Sequence, residues 1–194
     1  MASTKIALVI CSTRQTRVNP SIARYIHQVI LRQNCQETIE ILDIGEQGLP
    51  LYDEPAVPSH LPEADPTPHH AHQHTRSWSA TVRQYSAFIF VTPQYNWSIP
   101  ASLKNALDYL FYEWKGKPAA IVTYGGRGGG KAADHLRAIL HGLRMKPVPT
   151  APGLIVEARS PESEIKMEEE ETWRGSGVEE KITSMFFQLL EELR

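Results

Sequence analysis

The chain has 194 residues, enough for a single domain over 1–194 with a sizeable core. Its 20 Lys and Arg against 22 Asp and Glu leave a formal net charge of -2, so there is no basic field to attract nucleic acid or an anionic membrane, and neither partner is expected. No apolar run approaches the roughly 20 residues of a membrane helix, Met1 to Thr4 lacks signal-peptide character, and two cysteines, Cys11 and Cys35, make neither a disulfide framework nor a metal quartet; the expected compartment is cytoplasmic.

The first predicted strand covers 5–10, where Lys5 is followed by five apolar residues without polar alternation. Such strands are buried on both faces and belong to parallel sheets covered by helices. The loop that follows, 12–19, leads into a helix with Asn19 as expected N-cap, Pro20 in its first turn and Ile22, Ile26, Val29 and Ile30 on its buried face. Because a helix amino terminus gathers unpaired N–H groups, it suits an anion. The loop has no glycine, which argues against a dinucleotide fingerprint. Hydroxyls on Ser12, Thr13 and Thr16, with the Arg14 guanidinium, would instead surround a terminal monophosphate through side chains. An ordinary polar turn with solvated arginines accounts for the loop equally well when it is considered alone.

A second strand is expected over 38–43, with Asp43 at its loop-facing end. Next comes a proline-rich irregular stretch, 45–74, holding His60, His69, His70, His72 and His74. Zinc is the sharper reading of that cluster and a surface excursion bordering a pocket the blander one; the latter is preferred, because a metal site needs convergent, supported ligands.

The third strand, Ala87, Phe88, Ile89, Phe90 and Val91, is again continuously apolar, so the loop after it leaves the carboxyl edge of a central strand, where open α/β sheets bind ligands. Pro93 and Pro100 stiffen that loop, Ser98 is placed to cap the next helix, and Leu103, Ala106, Leu107, Leu110 and Trp114 form its inward stripe. Two aromatics and two amides lie between: Gln94, Tyr95, Asn96 and Trp97. They either plug the top of the core or border a flat heteroaromatic ring.

From Thr92 to Asp108 the wording resembles the TP-[EQ]-YN-x-S-x-P-x-x-LKNA-x-D signature of the NADPH-dependent FMN reductases, flavodoxin-like quinone and flavin reductases. Gln94 stands where many relatives carry Glu. The resemblance implies a flavodoxin-like α/β fold, a doubly wound five-stranded parallel sheet of order 2-1-3-4-5. It implies FMN as cofactor, whose monophosphate the 12–19 loop would hold; the family's loop reads GS-x-R, and Cys11 replaces its usual glycine. His74, Thr75, Arg76, Ser77 and Trp78 resemble the family's next helix, with Trp78, Val82 and Tyr85 inward and His74 near the flavin.

A fourth strand over 119–123 runs into Tyr124, Gly125, Gly126, Arg127, Gly128, Gly129, Gly130 and Lys131, and then a helix with Leu136, Ile139, Leu140 and Leu143 on its apolar face. Glycines there let backbone N–H groups approach a ligand, although a flexible connector is a fair competitor. Ala132 replaces the Ser or Thr of a P-loop, so triphosphate hydrolysis is discounted. In the family the corresponding glycine pair lines the isoalloxazine edge. Further on, 147–156 suits an edge strand, 157–177 an acidic solvated loop, and 178–193 an amphipathic helix through Ile182, Met185, Phe186, Leu189 and Leu193.

The expected cofactor site is therefore Ser12, Arg14, Asn19, Pro93, Gln94, Tyr95, Asn96, Tyr124, Gly125 and Gly126, with no catalytic triad, since hydride chemistry belongs to the cofactor. NADPH or NADH would be the donor, and quinones, free flavin or similar small molecules the acceptors, by a ping-pong mechanism in a homodimer or homotetramer. A non-enzymatic flavin electron carrier is the first alternative. The second follows from Cys11 and Arg17, a C-x5-R spacing that with Asn19 to Ala23 faintly resembles the low-molecular-weight tyrosine phosphatases. Val18 sits where those enzymes have Ser or Thr.

Overall fold

The computed structural model describes residues 4–157, 165 and 167–194. Four strands, β1 (Lys5–Ile10), β2 (Thr38–Asp43), β3 (Ala87–Pro93) and β4 (Pro118–Gly125), lie parallel in the order β2-β1-β3-β4. Ile10 pairs beside Val91 and Thr92 beside Thr123, so β1, β3 and β4 end along one edge of the sheet.

The expected fifth strand arrives in two pieces, β5 (Lys146–Pro147) and β6 (Gly153–Ile155), each parallel to β4. Pro147, Pro149 and Pro152 have no N–H to donate, so a continuous ladder cannot cross that segment. The order 2-1-3-4-5 holds with its last position divided.

Side chains alternate along the strands between two cores. Ile6, Leu8, Ile89 and Val91 meet the helices α1 (Asn19–Leu31) and, at the carboxyl end, α6 (Val178–Glu192). Ala7, Val9, Phe88 and Phe90 face the other way, onto α2 (Gln73–Arg83), α3 (Ala101–Asp108) and α4 (Gly130–Gly142). Most of the stripe residues expected on these helices are buried, including Trp78, Val82 and Tyr85, while Ile139, Leu143 and Leu193 are only half-buried; Leu110 and Trp114 are buried just beyond the end of α3. Among the described residues no helix is long and apolar enough to cross a membrane.

Three local expectations change. Asn19 is the first residue of α1 and Val18 the N-cap, because the Asn19 side chain turns back beneath the preceding loop. Ser98 does not cap α3; Pro100 takes that place and Ser98 Oγ lies 3.0 Å from His135 Nδ1. Part of the expected acidic loop is a helix, α5 (Met167–Gly175): Glu168, Glu169 and Glu170 sit in its first turn, where the helix dipole favours them, and buried Trp173 donates to the Ile155 carbonyl at 2.8 Å. Residues 158–164 and 166 of that expected loop lie outside the described residues.

The histidine-rich excursion is held by tertiary bonds despite its composition. Asn105 Nδ2 donates to the Pro50 carbonyl at 2.7 Å, and Glu54 accepts the backbone N–H groups of Ala71 and His72. Its histidines diverge: His70 is buried against Glu113, while His72 and His74 share Asp53. His74 also meets the edge of Tyr109 and stacks on His72 with ring centroids 5.2 Å apart. No group of three or more His, Cys, Asp or Glu is placed to hold a metal among the described residues.

Candidate functional site

Loops from the ends of β1, β3 and β4 meet at the sheet edge. The first, 11–18, is shaped from below by Asn19, which is fully buried: Oδ1 accepts the Cys11 and Ser12 N–H groups at 3.0 and 2.8 Å, and Nδ2 donates to the Val91 carbonyl at 3.1 Å. Ser102 Oγ donates to the Cys11 carbonyl at 3.0 Å. Above this clamp Thr13, Arg14, Gln15 and Thr16 are all exposed. The loop thus presents hydroxyls and a guanidinium outward from a fixed base.

Arg17 is committed elsewhere. Its guanidinium forms a two-point pair with Asp43 and also donates to the Ser12 carbonyl, so it braces the loop against β2. Burial pushes the Cys11 thiol well above its ordinary pKa. A phosphatase needs a thiolate and a free phosphate-binding arginine, and the C-x5-R spacing here offers neither.

The second loop is a two-residue reversal. Tyr95 and Ser98 exchange backbone hydrogen bonds, both 2.9 Å, and between them Asn96 and Trp97 hold positive φ of 45° and 66°. Tyr95 OH lies 2.8 Å from Ser12 Oγ, and the Arg14 guanidinium sits 6.0 Å from the Tyr95 ring centroid. Gln94 reaches the opposite way: its N–H donates to the Tyr124 carbonyl at 3.1 Å, and Oε1 accepts the Lys131 N–H at 3.0 Å. The Gln94 side chain therefore caps α4, whose own N-cap residue is Gly129.

The third loop is a fixed turn and not a slack connector. Thr123 Oγ1 donates to the Gly128 carbonyl at 2.7 Å. Gly129 holds φ 80°, and a Cβ there would stand 2.9 Å from that of Thr123. Only glycine fits.

Of the ten expected site residues, Arg14, Gln94, Tyr95, Asn96, Gly125 and Gly126 stand on these loops at least partly exposed, whereas Ser12, also on the first loop, is fully buried with its hydroxyl against Tyr95. Asn19, Pro93 and Tyr124 lie buried beneath them, where they can position neighbours and offer no side chain outward. The Tyr124 ring belongs to the core on the α1 side, and burial raises its phenol pKa strongly. The N–H groups of Gln94 and Tyr95 already serve the fold, whereas among the described residues those of Asn96 and Gly126 make no backbone bond. His135 and the capping role of Gln94 escaped sequence reasoning. Their one signal was helical spacing, which sets Lys131 and His135 four apart on the same face of α4.

A family model of NADPH-dependent FMN reductases matches residues 4–158. Over 152 residues the chain is 42% identical to the NAD(P)H-dependent FMN reductase LOT6 of Saccharomyces cerevisiae, covering 74% of this chain and 77% of that protein. It is 32% identical over 136 residues to a quinone reductase of Pseudomonas putida, with 67% and 65% covered. Among solved structures it resembles FerB, a flavoenzyme NAD(P)H:(acceptor) oxidoreductase from Paracoccus denitrificans, with a TM-score of 0.65 over 97% of this chain and 98% of that one. At 18% identity that likeness speaks for the fold alone.

Proposed function

This chain belongs to the NADPH-dependent FMN reductase family, and from that premise we propose that it is an FMN-dependent oxidoreductase that takes hydride from NADPH or NADH and passes it to quinones, free flavin or similar acceptors. One observation carries the reading: the loops after β1, β3 and β4 are tied into a single rim, by the Ser12–Tyr95 hydroxyl pair on one side and by Gln94 capping α4 on the other. The residues fit the cofactor. The first loop offers a terminal phosphate the Arg14 charge and exposed hydroxyls, and the third leaves open space beside the Gly126 backbone where a ring can approach.

Bound FMN supplies the hydride chemistry. The chain's part is to bind and orient: Arg14 and the 12–16 loop hold the phosphate end, Gln94 and Tyr95 set the wall, and the Asn96 and Gly126 N–H groups are the donors available to stabilise negative charge. Asn19, Pro93 and Tyr124 keep those groups in place from below, and Gly125 joins β4 to the third loop. Donor and acceptor use the open side of the rim in turn, which is the physical content of a ping-pong mechanism. A homodimer or homotetramer in the cytoplasm completes the proposal.

The visible spectrum of purified protein, taken before and after anaerobic NADPH, tests it. A yellow protein that bleaches on addition is the expected result; a colourless one that takes up no FMN at micromolar concentration rejects it. Lack of direct reduction by either nicotinamide would favour the electron carrier. Initial rates should give parallel double-reciprocal lines, and intersecting lines would exclude the alternation of substrates. Arg14→Ala should weaken FMN binding by about 1.5 to 3 kcal/mol, the worth of a charged hydrogen bond, as read by flavin titration.

A further inference from the structure

The fold treats the two rings of the second loop oppositely. Tyr95 is half-buried and bonded to Ser12, whereas Trp97, two residues on, is 64% exposed. Trp97 also occupies φ 66°, the second of two successive left-handed positions. Turns of this kind prefer Asn then Gly, because glycine has no Cβ to strain. Asn96 obeys that preference and Trp97 breaks it.

A bulky side chain in that conformation is unfavourable for the backbone, and leaving an indole in water is unfavourable for the side chain. Strain of this kind persists only where the surroundings hold it, and it concentrates at ligand sites. Here the surroundings do hold it. The reciprocal Tyr95–Ser98 bonds close the turn, His135 on α4 stands 3.0 Å from Ser98 Oγ, and Ile99 and Pro100 are buried behind it. Among the described residues no aromatic ring or cation packs on the indole.

Building on the function proposed above, we propose that Trp97 is the platform on which the planar electron acceptor stacks, which makes it a determinant of preference for flat, electron-poor rings over compact oxidants. The chemistry favours such a pairing in one direction. An indole face is electron-rich and a quinone ring electron-poor, so offset stacking is attractive. Once a quinone has gained a hydride and a proton it is an electron-rich hydroquinone, and the same face holds it less well. The platform therefore binds substrate in preference to product.

The test compares wild type, Trp97→Ala and Trp97→Phe with NADPH as donor and either 1,4-benzoquinone or ferricyanide as acceptor, since ferricyanide has no ring to stack. The ratio of kcat/KM for benzoquinone to that for ferricyanide should fall about fivefold to tenfold in Trp97→Ala and recover in Trp97→Phe. An equal ratio in all three proteins overturns the inference, as does a change confined to KM for NADPH. Loss of oligomeric mass in Trp97→Ala would assign the indole to a subunit interface and overturn it likewise. If wild type itself is colourless and does not oxidise NADPH, the functional reading fails first, and the inference with it.

Discussion

Replacing Asn19 with alanine is expected to destabilise the protein by about 3 kcal/mol and to weaken FMN binding at least tenfold. The truncation removes the acceptor of the Ser12 N–H and the donor to Val91, in a place with no exposure to water. The Cys11 N–H retains a partner, because it also reaches the Val91 carbonyl at 3.2 Å, so the Ser12 N–H bears most of the loss. An unpaired buried donor costs about 1 to 3 kcal/mol, and the small cavity adds to it. The effect on the cofactor is indirect, because the loop holding Ser12 and Arg14 would no longer be seated. Asn19→Asp is the informative companion: it keeps both acceptor bonds, loses the donor, and brings a negative charge beneath the proposed phosphate. Chemical denaturation together with flavin titration would check both variants. Full stability with intact FMN affinity in Asn19→Ala would refute the clamp.

A second large effect is expected far from the site. Glu113 is buried between α2 and the segment after α3: its Oε1 lies 3.0 Å from His70 Nε2 and accepts from Ser79 Oγ at 2.6 Å, while Oε2 accepts the Phe111 N–H at 3.2 Å. Glu113→Ala would strip His70 and the Phe111 N–H of their acceptor, leaving Ser79 with Thr67 alone, and should cost about 3 to 5 kcal/mol, in the range for breaking a buried pair. Burial alone would raise the pKa of this carboxyl, but the hydrogen bonds from His70 and Ser79 outweigh it, so the net shift is downward from 4.5. A carboxyl lowered in the folded state contributes stability that is complete above its unfolded pKa and is lost as pH falls through the folded value. The stability gap between wild type and Glu113→Gln should therefore be widest near neutrality and close as the pH drops below about 4.5. Denaturant midpoints from pH 7 to pH 3 would show it; a gap independent of pH would mean that the carboxylate charge plays no part.

The site was partly legible for a reason visible in individual residues. Tyr95, Asn96 and the glycines after Tyr124 follow apolar runs, and a loop placed after a buried strand must open at the sheet's carboxyl edge. Asn19, Gln94 and Ser98 were harder. Asn19 and Ser98 are expected as helix caps and Gln94 beside a ring, whereas Asn19 clamps the first loop, Ser98 meets His135 and Gln94 caps α4, because a short amide or hydroxyl can satisfy itself locally or across the fold and nothing in its neighbours decides which. The histidine-rich stretch misled in another way. Its composition says flexible, yet Asn105, Tyr112 and Glu54 tie it down, with the Tyr112 hydroxyl donating to the Ser59 carbonyl at 3.0 Å.

Strand positions, helix faces and the edge where the loops gather were determined by the amino-acid sequence, because strand burial and helical stripes are periodicities written in neighbouring residues. The tertiary structure decided which polar atoms pair. Asn19 with Val91, Gln94 with Lys131 and His70 with Glu113 are separated by 72, 37 and 43 positions, and they meet only when strands and helices have stacked. It also decided the opposite fates of Tyr95 and Trp97, since their exposure depends on which way a closed two-residue turn points its side chains once Ser12 and His135 have fixed it from either side.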